Sequence, residues 1–302
     1  MPNVNLNGQI IEYESLGSAQ SPTILLIMGL GMQLISWPDT FCEHLVNSGF
    51  RVIRFDNRDI GLSGKIQPKR QTNVKLSMLA AVLGLPVRAP YLLDDMALDA
   101  VGLLSALNIE RAHIVGVSMG GMIAQLIAAN YPQRVLTLTS IMSSSGNRRA
   151  HRGKPEALRA LMGRPADVSN PESIADHMVK VYGVIGSPGF VPDPTELRQR
   201  VKRNIHRSYY PAGTARQMLA IMASGDRRIK LTKITAPTLV IHGADDKLVP
   251  LAAGRDTANH IKGAQLKIIP GMGHDLAPKL HPILSAAIVA HCSAHPAGAV
   301  VT

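Results

Sequence analysis

Apolar positions along this chain follow two different rhythms, and the changes between them divide it into elements. Residues 9–16 (QIIEYESL) read as a strand. Residues 23–28 (TILLIM) form an unbroken apolar run, as expected of a strand buried on both faces. The run stops at Gly29-Leu30-Gly31, which predicts a loop. Trp37-Pro38-Asp39 then opens a helical stretch to about Asn47, closed by Gly49. Residues 51–55 (RVIRF) are the next strand and lead into the polar loop Asp56-Asn57-Arg58-Asp59-Ile60-Gly61. Residues 91–107 carry apolar side chains at helical spacing. Residues 112–117 (AHIVGV) are strand-like, 119–130 (MGGMIAQLIAAN) helical, and 135–142 (VLTLTSIM) strand again. Strands alternating with helices predict an α/β fold, a mostly parallel central sheet flanked by helices on both faces.

The alternation breaks off near residue 145. From there to about 235 the chain is basic, rich in Pro and Gly in places, and helical where it is periodic. Regular order returns with a strand at 237–242 (PTLVIH), a helical segment near 251–261, a strand at 265–269 (QLKII) and a final helix from about 278 to 291. The pattern therefore predicts one sheet domain, residues 1–145 and 233–302, interrupted by a helical insertion at 146–232. A hydrophobic content of 46% is enough to fill such a core and excludes a disordered chain. The small-residue tail from Ser293 is expected to fray.

Charge adds one feature. The chain carries a net +11, and residues 145–235 hold 17 Lys or Arg against 7 Asp or Glu, so nearly the whole excess sits in the insertion. No aromatic stacking residues or groove-reading motif accompany it, so a nucleic-acid partner is not expected. A solvated basic surface is the simplest reading, and steering of anionic molecules is the other. The two cysteines, Cys42 and Cys292, have no metal-ligand or disulfide-framework spacing and fit as small buried apolar residues. No signal-peptide start and no run of about 18 apolar residues is present, which predicts a cytoplasmic protein without a membrane span.

The chemistry-bearing residues lie at the ends of the predicted strands. Gly116-Val117-Ser118-Met119-Gly120 matches G-x-S-x-G between a strand and a helix. Such a turn projects the serine Oγ from a strained backbone, and glycines two positions away relieve the crowding. The plain alternative is Ser118 as a helix cap. A nucleophilic serine needs a general base and the base an orienting acid. Of eleven histidines, His274 in Pro270-Gly271-Met272-Gly273-His274-Asp275 sits in a glycine-rich loop directly after a strand. His113 and His242 lie inside strands and read as structural. The acid is expected after the preceding strand, in Gly243-Ala244-Asp245-Asp246-Lys247-Leu248-Val249-Pro250; Asp246 is favoured and Asp245 is the alternative. An oxyanion needs amide donors, for which Met119 and Leu30 are the candidates. Met28, Met32, Trp37 and Met122 lie near these loops in sequence and are candidates for an apolar substrate pocket, or are simply core. Asp56 and Arg58 read as loop-holding residues.

These residues together resemble the α/β-hydrolase superfamily over nearly the whole chain. The shared pieces are Gly29-Leu30-Gly31, Phe55-Asp56-Asn57-Arg58 with Gly61 and Ser63, the Gly116 to Gly120 turn, the Gly243 to Pro250 loop and Gly271-Met272-Gly273-His274. Within the superfamily the chain is most similar to aclacinomycin methylesterase-like bacterial carboxylesterases. The resemblance implies a hydrolase without metal or cofactor, acting on a small-molecule ester through Ser118, His274 and Asp246, with a helical cap over residues 146–232. The same triad also serves C–C bond hydrolysis, lactone hydrolysis and cofactor-free perhydrolysis, and the scaffold also serves as a non-catalytic small-molecule receptor.

Overall fold

A computed structural model describes residues 2–67, 76, 77, 80, 85–147 and 152–296. His151 and the end of the expected frayed tail lie outside these residues. Eight strands form one sheet: β1 (Asn3–Leu6), β2 (Gln9–Leu16), β3 (Thr23–Ile27), β4 (Arg51–Phe55), β5 (Ala112–Val117), β6 (Val135–Ile141), β7 (Thr238–Gly243) and β8 (Gln265–Ile269). Their order is β1-β2-β4-β3-β5-β6-β7-β8. The first two strands pair antiparallel, and β2 is antiparallel to β4; every later pairing is parallel. The sheet is thus mostly parallel, as the apolar pattern predicts. Strand β1 is an addition to that reading. It is joined to β2 by Asn7-Gly8, both at positive φ (54° and 91°), the hairpin turn that Asn-Gly favours.

Alternation within the buried strands sends side chains to two separate cores. On one face Leu25 and Ile27 of β3 and Ile114 of β5 pack with Leu93–Ala106 (α2) and Met119–Asn130 (α3). On the opposite face Ile24 and Leu26 of β3 and Val115 and Val117 of β5 pack with Asp39–Asn47 (α1) and His281–Ser293 (α10). Period two in a strand buried on both sides therefore builds both layers at once. Cys42 and Cys292 are free and buried in the second core, and burial pushes each thiol up to about 12.

Between β6 and β7 the described chain is helical: α4 (Pro155–Met162), α5 (Pro171–Ile185), α6 (Pro194–Arg207), α7 (Pro211–Ser224) and the short α8 (Arg228–Leu231). A further helix, α9 (Leu251–Asn259), lies between β7 and β8. The first four insertion helices each begin on a proline, whose fixed φ and missing N–H suit the first helical position. Two buried ion pairs fasten this region to the loop after β4. Arg207 of α6 reaches Asp56 at 2.7 Å, and Arg216 of α7 holds both oxygens of Asp59 at 2.8 Å; both carboxylates are fully buried. Asp56 also accepts the Leu34 and Leu62 amides, and Arg58 pairs with Asp99, so Asp56 and Arg58 hold loops. Part of the basic excess is therefore internal fastening rather than solvated surface.

Candidate active site

The parallel strands deliver their following loops to one edge of the sheet, where ligands bind in such folds. Ser118 follows β5, Gly29 to Gly31 follow β3, Ser143 lies past β6, Asp245 and Asp246 follow β7, and His274 lies past β8. Ser118 sits at φ 53° and ψ −118°, a region that a non-glycine residue rarely occupies. Such a conformation costs about 1–3 kcal/mol and persists only where the surroundings impose it. Here they do. A Cβ on Gly116 would lie 2.1 Å from the Gly120 carbonyl oxygen, and one on Gly120 would lie 2.1 Å from that of Ile27. The strand, the turn and the helix can approach this closely only through those two glycines. Ser143 then ties the turn down by donating its hydroxyl to the Ser118 carbonyl at 2.7 Å. Ser118 stands at the N-cap position of α3 but makes no side-chain cap hydrogen bond.

The three expected side chains meet. His274 Nδ1 lies 2.7 Å from Asp246 Oδ2, and His274 Nε2 lies 2.9 Å from Ser118 Oγ. A carboxylate accepts only, so Nδ1 carries the proton toward Asp246 and Nε2 is left to accept from the Ser118 hydroxyl. Asp246 is 6% exposed, and its other oxygen accepts the Leu248 and Val249 amides at 2.9 and 2.8 Å, which fixes the direction of the carboxylate. Asp245, the alternative acid, points elsewhere: it accepts the Gly271 amide at 2.8 Å and braces the loop that carries His274. His113 bonds Thr137 and His242 bonds the Val249 carbonyl, both within the core.

Of the two candidate oxyanion donors, Met119 directly follows the serine and Leu30 lies in the loop after β3. That loop passes over the serine closely enough that a Cβ on Gly29 would lie 3.3 Å from Ser118 Cβ. The neighbouring Gly31 amide is already taken by Gln217 Oε1 at 2.9 Å. The amides of Leu30 and Met119 donate to no partner among the described residues. The four candidate pocket residues divide. Met28 and Trp37 lie in the core under α1, and the Trp37 ring packs at 5.2 Å on Phe41. Their surroundings account for them as packing. Met32 is half-buried with its sulfur 3.8 Å from the Tyr182 hydroxyl, and Met122 borders a cleft one helical turn beyond Ser118.

Several supporting residues carry no local signal in the sequence. The end of α5 backs the histidine loop: Ile185 accepts the His274 amide at 2.7 Å, and Ser187 accepts the Gly273 amide at 2.9 Å while donating to Asp275. Burial holds the Asp275 carboxyl above its ordinary range, the Ser187 bonds opposing it. Gln217 grips both the Gly31 amide and the Arg58 carbonyl. These partners are separated by 86 to 186 residues, so only the folded chain reveals them. Ser143 differs in that it stands in the run Ser143-Ser144-Ser145 directly after a strand, a local signal that the sequence does carry. Among the described residues no group of His, Cys, Asp or Glu side chains could hold a metal ion.

Comparison with known proteins agrees with this architecture. A family model described as alpha/beta hydrolase fold matches residues 22–278. Rhodomycin D methylesterase DnrP of Streptomyces peucetius is 29% identical, with 93% of this chain and 94% of that protein aligned. A 2-hydroxy-6-oxononadienedioate/2-hydroxy-6-oxononatrienedioate hydrolase of Paraburkholderia phymatum is 26% identical over 87% of this chain and 84% of its own. Among solved structures, the enol-lactonase from Burkholderia xenovorans LB400 superposes with a TM-score of 0.70 at 24% identity, covering 96% of this chain and 99% of that one.

Proposed function

Because the chain belongs to the alpha/beta hydrolase fold family, we propose that it cleaves carboxylic esters by two-step acyl transfer with Ser118 as nucleophile. One observation carries this reading: the unbroken hydrogen-bond chain from Ser118 Oγ through His274 to the buried Asp246, with distances of 2.9 and 2.7 Å. His274 takes the hydroxyl proton as Oγ attacks the ester carbonyl, and Asp246 holds the imidazole and stabilises the imidazolium. The Leu30 and Met119 amides donate to the tetrahedral oxyanion. Collapse expels the alcohol, protonated by His274, and leaves an acyl-serine. Water, deprotonated by the same histidine, then releases the acid.

Residues 146–232 act as a cap over this edge, held by Arg207 and Arg216, with Met32 and Met122 facing the substrate's apolar part. The methylesterase from Streptomyces supports ester cleavage over other uses of the same triad. The second reading keeps the three residues and changes the bond broken; the Paraburkholderia hydrolase, by its name, favours it. A p-nitrophenyl ester series and a fluorophosphonate probe test the first reading beside Ser118→Ala. Serine-dependent release and labelling are expected. Labelling without ester turnover favours the second reading, and neither signal removes both.

A further inference from the structure

The arginines that enter this molecule's interior follow a rule. Arg54 reaches Glu14 and Asp39, Arg58 reaches Asp99, Arg207 reaches Asp56 and Arg216 reaches Asp59. Arg227 departs from it. Only 2% of this residue is exposed, yet it forms no ion pair with any described residue. Its Nη1 donates to the Gly225 carbonyl at 3.0 Å and its Nη2 to the Ser144 carbonyl at 2.7 Å, while its buried Nε–H has no acceptor. A guanidinium has five N–H donors, and a buried cation without a counter-ion is costly. Burial pulls the Arg227 pKa down to about 10, opposed from a distance by Asp226 and Asp94. Those two carboxylates are engaged elsewhere, with Arg228 and Lys230. Arg227 stays charged at neutral pH and lacks an anion.

It also borders open space. A cleft of about 120 Å³ is lined by Arg227, by Ser144 and Asn147, and by the apolar side chains of Met122 and Ile221. Two of its walls, Met122 and Ser144, lie close in sequence to groups that bond the Ser118 backbone. The Met122 amide donates to the Ser118 carbonyl at 3.2 Å, and Ser143, the neighbour of Ser144, donates to that same carbonyl. We propose that Arg227 and this cleft form a carboxylate subsite, so that the preferred esters carry a free carboxylate, as half-esters of short dicarboxylic acids do. The inference rests on the ester-hydrolase reading of Ser118 and names its substrate class. A guanidinium matches a carboxylate through paired, charge-assisted N–H···O bonds. Met122 and Ile221 provide the apolar wall for the short carbon chain between carboxylate and ester. The positive excess of the insertion adds long-range attraction for such an anion.

Calorimetric titration of the full chain with glutarate, against uncharged glutaramide, tests the subsite without turnover. Glutarate is expected to bind about tenfold or more tightly than glutaramide. The preference is expected to persist at raised salt, where exposed lysines and arginines are screened. Arg227→Gln is expected to weaken glutarate about 10–100-fold, and Arg227→Lys to retain part of the binding. Ile221→Glu leaves the guanidinium in place and sets a carboxylate across the cleft; it is expected to displace glutarate as well, and it serves where the Arg227 variants fail to fold. No preference for glutarate, or a preference that Ile221→Glu leaves intact, overturns the proposal. In turnover, Arg227→Gln is expected to raise KM for p-nitrophenyl hydrogen glutarate about 10–100-fold more than for p-nitrophenyl butyrate; equal effects on both overturn it. Failure of the ester-hydrolase reading itself is separate, since wild-type protein would then leave both esters intact while glutarate binding still reports on Arg227.

Discussion

Two adjacent aspartates, Asp245 and Asp246, occupy the acid loop, and their partners separate them. Asp246 faces His274 Nδ1, whereas Asp245 accepts one backbone amide from Gly271. An asparagine at 245 still offers an oxygen to that amide, so Asp245→Asn is expected to change kcat by less than about tenfold. An asparagine at 246 no longer holds the imidazole in its working tautomer, and a loss of about 10³–10⁴ in kcat is expected. Steady-state turnover of one p-nitrophenyl ester by both variants decides it; a larger loss at Asp245 would reverse the assignment. The sequence already favoured Asp246, but only by its offset from Gly243 and Pro250. What separates the two carboxylates is the direction each side chain takes, and backbone amides at 248 and 249 set that direction for Asp246. Ser118, His274 and their loops were legible because glycines and strand ends mark them. Trp37 and Met28 were not legible in the same way: proximity in sequence to a site loop says nothing about which face of the sheet a side chain fills.

Strands and helices of the sheet region were legible because each face is buried and the apolar period survives. The hairpin strand β1 escaped, although Asn7-Gly8 stood as its signal, because Asn3–Leu6 is too short to show a period. In the insertion the prolines were readable as breakers, and they are helix starts at 155, 171, 194 and 211. How those helices are fastened was beyond the sequence, since Asp56–Arg207 and Asp59–Arg216 join residues about 150 apart. Their energetics make a prediction at this scale. Arg216→Met leaves Asp59 fully buried with its main cationic partner removed, which is expected to destabilise the protein by about 3–5 kcal/mol. Adding Asp59→Asn removes the uncompensated charge and is expected to recover a substantial part. Urea denaturation of the single and double variants measures this, and a double variant no better than Arg216→Met would show that Asp59 is held by other groups.

The molecule as a whole carries a charge asymmetry and, separately, a set of histidines buried in its second core layer and along β5. His113 is fully buried and its pKa is lowered to about 4, chiefly by burial, with its neighbours His291, His295 and Arg111 adding to it. Burial also lowers His281 and His291, against the carbonyls of Leu276 and Pro237 that favour their protonated forms. All three are neutral in the folded state at pH values where an unfolded chain's histidines are charged. Below about 6.5 the unfolded state therefore binds more protons, and stability falls as pH drops. For His113 the loss continues down to about pH 4 and is on the order of 3 kcal/mol, at ~1.4 kcal/mol per pKa unit. Asp99 and Asp275, whose carboxyls are raised by burial, act in the opposite sense: each favours the folded state while protonated and loses that contribution as pH rises through its folded pKa. The net slope mixes both signs, so the histidine share is read by difference. Urea midpoints measured from neutral pH down to about 4 are expected to fall for the wild type and to fall less steeply for His113→Gln, which has no proton to gain. Parallel curves for the two proteins would place the acid sensitivity elsewhere, on the insertion's ion pairs rather than on the core beneath the sheet.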